Sequence, residues 1–248
     1  AAMARSLSII AVPGVPEVQP GDDLAGQIID ACMGRSEGSD GDQAPGLEHH
    51  DVLVVSQKVV SKAEGQLVTV DPDDPQSHKP LVIDQSVRVI RKRGDLIISQ
   101  TKHGFVCASA GIDRSNVKPD IAALLPEDSD RSARRLRDAI AGREGVDVGI
   151  IVADTFGRPW RRGLTDVAIG TAGILPVLDL RGTEDHGGRE LQVTEVCIVD
   201  ELAGAAELVR GKSTGIAVAI VRGVDDSWFG EGSVAADIVR HPSEDLFR

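Results

Sequence analysis

Hydrophobic positions along the chain follow two patterns that alternate. Short apolar runs such as VGIIV at residues 148–152 are typical of buried strands. Longer segments with apolar residues on one face, such as 195–210 before Gly211, predict helices. The pattern predicts strands over 7–12, 52–56, 148–152 and 216–222, and helices over 22–33, 132–142 and 195–210. We therefore predict an α/β fold of the mixed α+β type, a compact two-lobed domain over residues 1–248 with mixed sheets flanked by helices.

The composition narrows the classes of ligand that this domain binds. The 248 residues carry a formal net charge of -12 and include two Trp, four Phe and no Tyr. Such a chain offers neither a basic surface nor an aromatic stacking platform, so we expect no nucleic-acid partner. No apolar stretch reaches the ~18–20 residues that cross a bilayer, so we expect no membrane partner.

The cysteines and histidines limit the chemistry further. The three cysteines are far apart and form no CxxC pair, which is typical of a reduced, cytoplasmic protein. The six histidines form no HxH or HxxxH pair, which disfavours a histidine-based zinc site. Any metal is therefore expected to be a hard cation held by oxygen ligands.

The segment ADTFGRPWRRG at 153–163 directly follows the predicted strand 148–152. We interpret it as a loop in which Asp154 leaves the sheet beside the hydroxyl of Thr155. A carboxylate binds a cation and guanidinium groups bind an anion, so the segment suits a metal-bound phosphate. An Asp in this position is equally a common helix cap, and Arg-rich loops are often only solvated. The guanidinium groups belong to Arg158, Arg161 and Arg162.

Two other segments follow predicted strands and are candidates for a binding site. One of them is basic, and prolines stiffen the backbone of the other. SQKVVSKAEG at 56–65 follows the predicted strand 52–56 and brings Gln57 and Lys62 to a position where they could bind phosphate. Lys58 and Lys62 are four residues apart, and two solvated lysines on the surface of a helix would have the same spacing. VPGVPEV at 12–18 places two prolines around a glycine, which a simple turn also explains.

Acidic and amide groups recur in two further places. Asp113 and Asn116 follow the small residues of ASAGIDRSN at 108–116, where they could bind a cation and a nucleoside. An Asx turn is the structural alternative. Glu201 and Glu207 belong to the polar face of the predicted helix 195–210, which by itself is typical of a solvated face.

Taken together, five segments resemble those of the GTP-dependent coenzyme F420-0:L-glutamate ligases, also called F420 γ-glutamyl ligases. The resemblance runs from about residue 7 to about residue 224. The tail HPSEDLF is similar to the end of the N-terminal ligase domain of the bifunctional actinobacterial enzyme, whose C-terminal nitroreductase-like domain we do not expect in this sequence. The five segments are VPGVPEVQPGDDL, VVSQKVVSKAEGQ, ASAGIDRSNV, ADTFGRPWRRGLTDVAIGTAG and VDELAGAAELVRGK.

This resemblance implies an amide-forming reaction. L-glutamate would be joined to the lactyl carboxylate of F420-0 with consumption of GTP, and further γ-linked glutamates could follow. The resemblance implies an acyl-phosphate intermediate and Mg²⁺ or Mn²⁺, and leaves a role for K⁺ open. It also implies a homodimer whose other partners are the small molecules F420-0, L-glutamate and GTP.

The resemblance also implies roles for individual residues. Asp154 and Arg158 are expected to be catalytic. Arg158, Arg161 and Arg162 match a basic cluster of the family, and from their charge rather than from a motif role we expect them to meet the phosphodiester or the carboxylates of the substrate. The expected metal ligands are Asp113, Asp154 and Thr155. The positions expected to bind the nucleotide are Val15, Pro16, Glu17, Val18, Gln57, Lys62 and Asn116.

Two other classes of function remain open from the residues alone. The chain could be a non-catalytic module that binds GTP or a deazaflavin and releases no phosphate. It could also be a metal-dependent hydrolase that uses the same acids to deliver water to a phosphate. Glutamate-dependent turnover distinguishes a ligase from both.

Overall fold

The computed structural model describes residues 6–36 and 44–245. Within these residues the chain forms twelve strands and six α-helices, with two short 3-10 turns at Ser109–Gly111 and Asp226–Trp228. In chain order the elements are β1 (Ser8–Val12), α1 (Leu24–Cys32), β2 (Val52–Ser56), α2 (Gln57–Ala63), β3 (Leu67–Thr69), α3 (Lys79–Asp84), β4 (Ser86–Arg93), β5 (Leu96–Thr101), β6 (Val106–Ala108), β7 (Ile121–Ala123), α4 (Ser129–Glu144), β8 (Gly149–Arg158), β9 (Arg161–Ala172), β10 (Val177–Asp179), β11 (Glu195–Cys197), α5 (Ile198–Arg210), β12 (Val218–Arg222) and α6 (Val234–Asp237).

A five-stranded mixed sheet in the order β1-β12-β2-β8-β9 forms the centre of the fold. The β2–β8 pair is parallel, and the other pairs of this sheet are antiparallel. Leu53 and Val55 pack in the core cluster that includes α1 and α4, whereas Val52 and Val54 pack in the cluster that includes α5. Because helices cover both faces, β2 is a continuous apolar run rather than an alternating one.

The predicted α/β fold with mixed sheets is confirmed. Each predicted strand and helix exists, and most ends differ from the prediction by one to three residues. The predicted start of the last long helix was wrong. Residues 195–197 form β11, which pairs with β10, and α5 begins only at Ile198. The backbone of residues 195–197 finds partners in a strand distant in the sequence, which helical periodicity does not reveal.

The segment 153–163 is a β-hairpin rather than a loop. Asp154 lies inside β8, opposite Val167 of β9, so the prediction that it leaves the sheet was wrong. The long strand β9 supplies backbone partners beyond the apolar part of β8, and pairing therefore continues through polar residues as far as Arg158. The chain reverses at Pro159 and Trp160, where Trp160 has a φ of 57°.

Gly170 on β9 packs directly against the backbone of α4. A Cβ atom at this position would lie 2.3 Å from the carbonyl carbon of Ser129, so the helix would have to move. We expect Gly170→Ala to lower the free energy of unfolding by about 2 to 3 kcal/mol, measured by urea denaturation. Gly142→Ala on α4 is the control, because the added Cβ meets no atom within 4 Å and should stabilise the helix by about 0.5 to 1 kcal/mol. Equal stabilities of the two variants would contradict this steric explanation.

A smaller antiparallel sheet in the order β4-β5-β6 lies beside the central one. Ile97, Ser99 and Thr101 are the buried positions of β5, and Ile97 packs with Val82 and Ala110 in a separate small core. In contrast, β4 at the edge of this sheet is exposed along almost its whole length. Two further pairs, β3–β7 and β10–β11, complete the described strands.

No helix within residues 6–36 and 44–245 is long and apolar enough to cross a membrane.

Candidate active site

A cleft of about 740 Å³ opens where β2 and β8 end their parallel pairing. This is the position at which ligands bind in open α/β sheets, outside the carboxyl ends of the strands. The loop before α1, the N-terminus of α2, the segment after β6, the hairpin β8–β9 and the segment after α5 all contribute lining residues. The cleft includes every predicted site residue except Arg158, Arg161 and Arg162. The predicted residues that line it are Val15, Pro16, Glu17, Val18, Gln57, Lys62, Asp113, Asn116, Asp154 and Thr155.

Asp154 is the carboxyl group whose charge is least compensated in this cleft. Its Oδ1 atom accepts a hydrogen bond of 2.8 Å from the backbone N–H of Thr155, and no lysine or arginine of the described residues forms an ion pair with it. Burial raises the pKa of Asp154 to about 7, and the negative charges of Asp113 and Asp166 act in the same direction. The N–H of Thr155 and the charge of Lys212 oppose this shift only in part.

Asp113 has the opposite electrostatic environment although it lines the same cleft. Burial opposes its ionisation, but hydrogen bonds from Lys58 and Ser115 outweigh burial and lower the pKa of Asp113. Lys58 Nζ lies 2.8 Å from Asp113 Oδ2, and the backbone N–H of Ser115 lies 2.6 Å from Oδ1. Asp113 is therefore ionised at neutral pH, and its charge contributes to the raised pKa of Asp154.

Asp166 connects three groups of the cleft and was missed by the sequence reasoning. Its side chain is 3% exposed and forms a buried ion pair with Arg210. Its Oδ1 atom accepts a hydrogen bond of 2.5 Å from the hydroxyl of Thr155 and lies 3.4 Å from Lys212 Nζ. The signal that could have revealed this residue is the β-hairpin register, which places Asp166 directly opposite Thr155.

Arg210 is the last residue of α5, and Lys212 lies two residues beyond it; both were also missed. Glu207, on the same helix, lies 3.2 Å from the Arg210 guanidinium and 3.1 Å from Lys212 Nζ. Lys212 also donates to the hydroxyl of Thr155. Of the two acids considered on this helix, Glu207 lines the cleft, whereas Glu201 is exposed and lies outside the lining.

Lys62 connects two segments of the cleft on the side formed by residues 15–18 and Asn116. Its side chain is 8% exposed, and its Nζ lies 2.5 Å from Glu17 Oε1 and donates to the backbone carbonyl of Asn116 at 3.0 Å. Lys62 therefore contacts two other predicted nucleotide positions, Glu17 and Asn116, directly. Asn116 has a φ of 53°, so its backbone is in the left-handed region that short polar side chains tolerate.

Gln57 lines the cleft, but its amide group points into the protein. The side-chain nitrogen donates to Ser61 Oγ at 2.5 Å and to the carbonyl of Leu124 at 3.0 Å. Both amide N–H groups are therefore used for internal hydrogen bonds. In this arrangement Gln57 anchors α2 beside the cleft.

The arginine cluster of the hairpin lies outside the cleft. Arg158, Arg161 and Arg162 are exposed, and none of them forms an ion pair within the described residues. The structure therefore does not bring Arg158 together with Asp154, the other residue predicted to be catalytic. Because Phe156, Gly157 and Leu164 of the same hairpin line the cleft, the arginines extend from its edge.

Cys107 also lines the cleft, but it is not an activated nucleophile. Its side chain is buried, and burial together with the charge of Asp154 raises the pKa of the thiol to about 12. The attacking species of a cysteine enzyme is the thiolate, which this group does not form at neutral pH. Cys32, Cys107 and Cys197 are all free thiols.

The oxygen atoms of the cleft fit a hard divalent cation that also binds a ligand from solution. Asp113, Asp154 and Thr155 offer carboxylate and hydroxyl oxygens, and the charge of Asp154 lacks a partner. No group of three or more His, Cys, Asp or Glu side chains among the described residues is arranged around one point. Mg²⁺ is commonly bound through one or two carboxylates, with substrate phosphates and water completing its coordination. The residues present therefore fit a metal that binds together with a phosphate.

An α/β domain with a cleft lined by charged residues at the ends of parallel strands has the arrangement in which small molecules bind to proteins of this fold class. Residues 14–223 match the family described as F420-0:gamma-glutamyl ligase. The chain is 40% identical to the coenzyme F420:L-glutamate ligase of Methanopyrus kandleri, covering 98% of both chains. It is 37% identical to the enzyme of the same name from Methanothermobacter thermautotrophicus, covering 98% of this chain and 99% of that one.

The chain belongs to the F420-0:gamma-glutamyl ligase family and is an enzyme of the ligase class. The coenzyme F420:L-glutamate ligase of Methanocaldococcus jannaschii is also 37% identical to it, over 82% of this chain. The family match includes the cleft walls from the loop before α1 to β12.

Proposed function

We propose that this enzyme uses GTP to join L-glutamate to the lactyl carboxylate of F420-0 and then adds further γ-linked glutamates. The names of the similar enzymes supply the acceptor and the amino acid. The observation that carries the proposal is the electrostatic arrangement of the cleft, where the uncompensated Asp154 lies near Asp113 and three lysines, Lys58, Lys62 and Lys212, line the same space. Such a site holds a metal-bound phosphate through both its acids and its cations.

The proposed reaction uses an acyl phosphate because a carboxylate is a poor electrophile. An oxygen of the acceptor carboxylate attacks the γ-phosphorus of GTP, and the bond from that phosphorus to the β-phosphate oxygen breaks to release GDP. The amino nitrogen of glutamate then attacks the acyl carbon, the C–O bond to phosphate breaks, and the nitrogen loses a proton. Each cycle forms one amide and releases one GDP and one phosphate.

In this proposal the two walls of the cleft have different tasks. Asp113, Asp154 and Thr155 hold Mg²⁺ or Mn²⁺, and the bound cation would supply the positive charge that phosphoryl transfer requires. Asp166 and Lys212 orient the hydroxyl of Thr155. The wall formed by Val15, Pro16, Glu17, Val18, Gln57, Lys62 and Asn116 holds the guanine nucleotide.

The hairpin arginines are assigned to the anionic part of the acceptor. F420-0 is larger than its reacting lactyl carboxylate, so the rest of the molecule extends outward when that carboxylate lies near Asp154. Arg158, Arg161 and Arg162 are exposed at the edge of the cleft and unpaired within the described residues, which leaves them available to a phosphodiester. In this role they position the acceptor and do not contact the transferred phosphoryl group.

The proposal also includes a homodimer located in the cytoplasm and leaves an additional K⁺ requirement to be measured. Free thiols at Cys32, Cys107 and Cys197 support a reducing compartment. Light scattering of the purified enzyme tests the dimer. Titration of KCl at constant ionic strength tests the K⁺ requirement.

Mass spectrometry of the product tests the reaction directly. The enzyme is incubated with F420-0, L-glutamate, GTP and MnCl₂, and we expect the acceptor to gain the mass of one or more glutamate residues with an equal number of phosphates released. A matched reaction without glutamate should release little phosphate. Phosphate release that does not depend on glutamate would identify a hydrolase, and GTP binding without turnover would identify a binding module.

Lys62→Ala tests the nucleotide wall. We expect the dissociation constant for GTP to rise about 10-fold, because charge-assisted hydrogen bonds contribute about 1.5 to 3 kcal/mol and Glu17 partly competes for the same ammonium group. The variant also loses the contacts of Lys62 with Glu17 and with the carbonyl of Asn116, so urea denaturation is used to check that it remains folded. Isothermal titration of GTP measures the effect, with Lys118→Ala on the exposed surface as the control. Equal GTP affinity in the two variants would reduce Lys62 to a structural role.

A further inference from the structure

The exposed strand β4 carries a concentration of positive charge that the proposed function does not use. Its sequence SVRVIRKR contains four cations in eight residues, in a chain whose formal net charge is -12. All four are exposed, and none forms an ion pair within the described part of the chain. Most other basic residues of the surface do have acidic partners, such as Arg143 with Asp23. The cations of β4 are Arg88, Arg91, Lys92 and Arg93.

The strand pairing places three of these cations on one face of the small sheet. Arg91 lies opposite Ile98, which lies opposite Ala108 on β6. Directly opposite residues in neighbouring strands project from the same face. Arg88 and Arg93 pair with Gln100 and Leu96, which alternate with the buried residues of β5 and so belong to the same outward face. Lys92 pairs with the buried Ile97 and therefore projects from the opposite face.

The outward face reaches the cleft at Ala108, and the opposite face of the same strand reaches it at Cys107, which pairs with the buried Ser99. Ala108, at the end of the row that begins with Arg91, lines the cleft together with Asp113 and Asp154. The strands β4 and β6 are separated by β5 alone, so the two ends of the row are about 10 Å apart. A chain of two or three linked glutamates spans such a distance, because even an α-linked residue extends by up to ~3.6 Å and a γ-linked one has two additional methylenes.

The product of successive ligations has a matching pattern of charge. Each γ-linkage uses the side-chain carboxylate of the preceding glutamate and leaves its α-carboxylate free. During the next cycle the terminal γ-carboxylate must return to the reacting phosphate, so the earlier residues and their α-carboxylates lie progressively farther from it. A site for a growing chain therefore needs cations at increasing distance from the catalytic acids.

We propose that the outward face of β4-β5-β6, with Arg88, Arg91 and Arg93, binds the α-carboxylates of the oligo-γ-glutamyl chain as it grows. This inference rests on the proposed function, because it assigns a second part of the same acceptor. The three arginines act in positioning and do not contact the reacting atoms. Their contribution therefore increases with the number of glutamates already attached, which an arginine that binds the phosphodiester of F420-0 would not show.

The test compares acceptors that differ only in tail length. Arg88→Gln/Arg91→Gln should raise the KM for an acceptor with two glutamates by about 2- to 30-fold, the range that two exposed ion pairs of 0.2 to 1 kcal/mol give. The KM for F420-0 should change less than 2-fold, and products of the full reaction should be shorter. Lys92→Gln is the matched control on the other face of the same strand, and Arg131→Gln/Arg134→Gln on α4 removes two charges away from the cleft.

Each other outcome contradicts the inference in a different way. An equal rise in KM for both acceptors would assign the arginines to the phosphodiester or to general attraction, and unchanged values would remove their role. A wild-type enzyme that adds one glutamate and stops would overturn the inference and the proposed addition of further glutamates, and it would leave the GTP-dependent ligation of the first glutamate intact. Binding of a γ-linked triglutamate peptide by calorimetry gives a result that does not require turnover. That peptide should bind wild type more tightly than Arg88→Gln/Arg91→Gln, and equal affinities would overturn the inference.

Discussion

We expect Asp154→Asn to abolish ligation while making the metal-free protein more stable at neutral pH. The activity should fall by more than the roughly 10- to 100-fold that is lost when residues supporting a metal ligand are changed, because the variant lacks a ligand itself. The stability should rise by about 2 to 4 kcal/mol at pH 8, because the neutral amide removes an ionised group from a partly buried position near Asp113 and Asp166.

The raised pKa of Asp154 determines how the stability of the wild-type protein changes with pH. The pKa of Asp154 is raised from 3.8 to about 7 by burial and by its acidic neighbours, so the native state holds a proton that the unfolded chain has lost. The wild-type stability contributed by this group is therefore present below pH 3.8 and is lost as the pH rises toward 7. Asp154→Asn should remove that decline. Urea denaturation at pH 5, 6, 7 and 8 without metal measures it.

Asp113→Asn is the matched comparison for this prediction. Both variants should lose activity, but Asp113→Asn should lose stability at neutral pH because the lowered pKa of Asp113 reflects favourable bonds from Lys58 and Ser115. Adding MnCl₂ to samples that contain GDP should raise the melting temperature of wild type further and should have no such effect on either variant. Full activity in folded Asp154→Asn, or the same change of stability in both variants, would contradict the assignment of Asp154 as an uncompensated metal ligand.

Asp166→Asn should be the most destabilising conservative change in the cleft. Asp166 and Arg210 are each 3% exposed, and removing one partner of such a buried pair costs about 3 to 5 kcal/mol. Because Glu207 remains as a second acidic partner of Arg210, we expect a loss of about 3 kcal/mol, at the lower end of this range. The Nε and Nη1 atoms of Arg210 have no hydrogen-bond partner in the described residues, so the guanidinium depends on Nη2 for its contacts. The free energy of unfolding, measured in urea, should fall accordingly.

The same variant should also reduce ligation by roughly 10- to 100-fold under conditions where it remains folded. Thr155 would lose the acceptor that orients its hydroxyl, and Lys212 would lose one of its two acidic partners. The apparent affinity for Mn²⁺ in the presence of GDP, measured by calorimetry, should weaken with the activity. Asp166→Asn/Arg210→Leu should recover part of the stability without recovering activity. Recovery of both, or of neither, would contradict the separation of a packing role from a positioning role.

The regular parts of the fold could be predicted because their causes are local. Residues 52–56 form an apolar run long enough for a buried strand, and the apolar face of α5 ends where Gly211 adopts a positive φ. The extent of β8 could not be predicted in this way. Its polar half, including Asp154, is held by β9, and a partner strand leaves no periodic trace in the segment that it pairs with.

Some residues of the candidate site could also be predicted from the sequence, and others could not. Sequence segments with unusual polar composition indicated Asp113, Asn116, Asp154 and Lys62, and the structure brings these four to one cleft. Asp166 and Arg210 carried no such signal, because an acid on a strand and an arginine at a helix end are common features of soluble proteins. Their ion pair becomes evident only when α5 packs against β9.

The sequence by itself determined the fold class, the sites of the apolar strands and helices, and the segments that carry acids, amides and lysines, since each depends on the order of side chains along a short stretch. The tertiary structure decided which of these groups share a cleft, which of two nearby carboxylates is compensated, and that the arginines after Asp154 lie outside. The reason is that burial and Coulomb interactions depend on distances through space, and those distances are set by sheet register and helix packing rather than by separation along the chain.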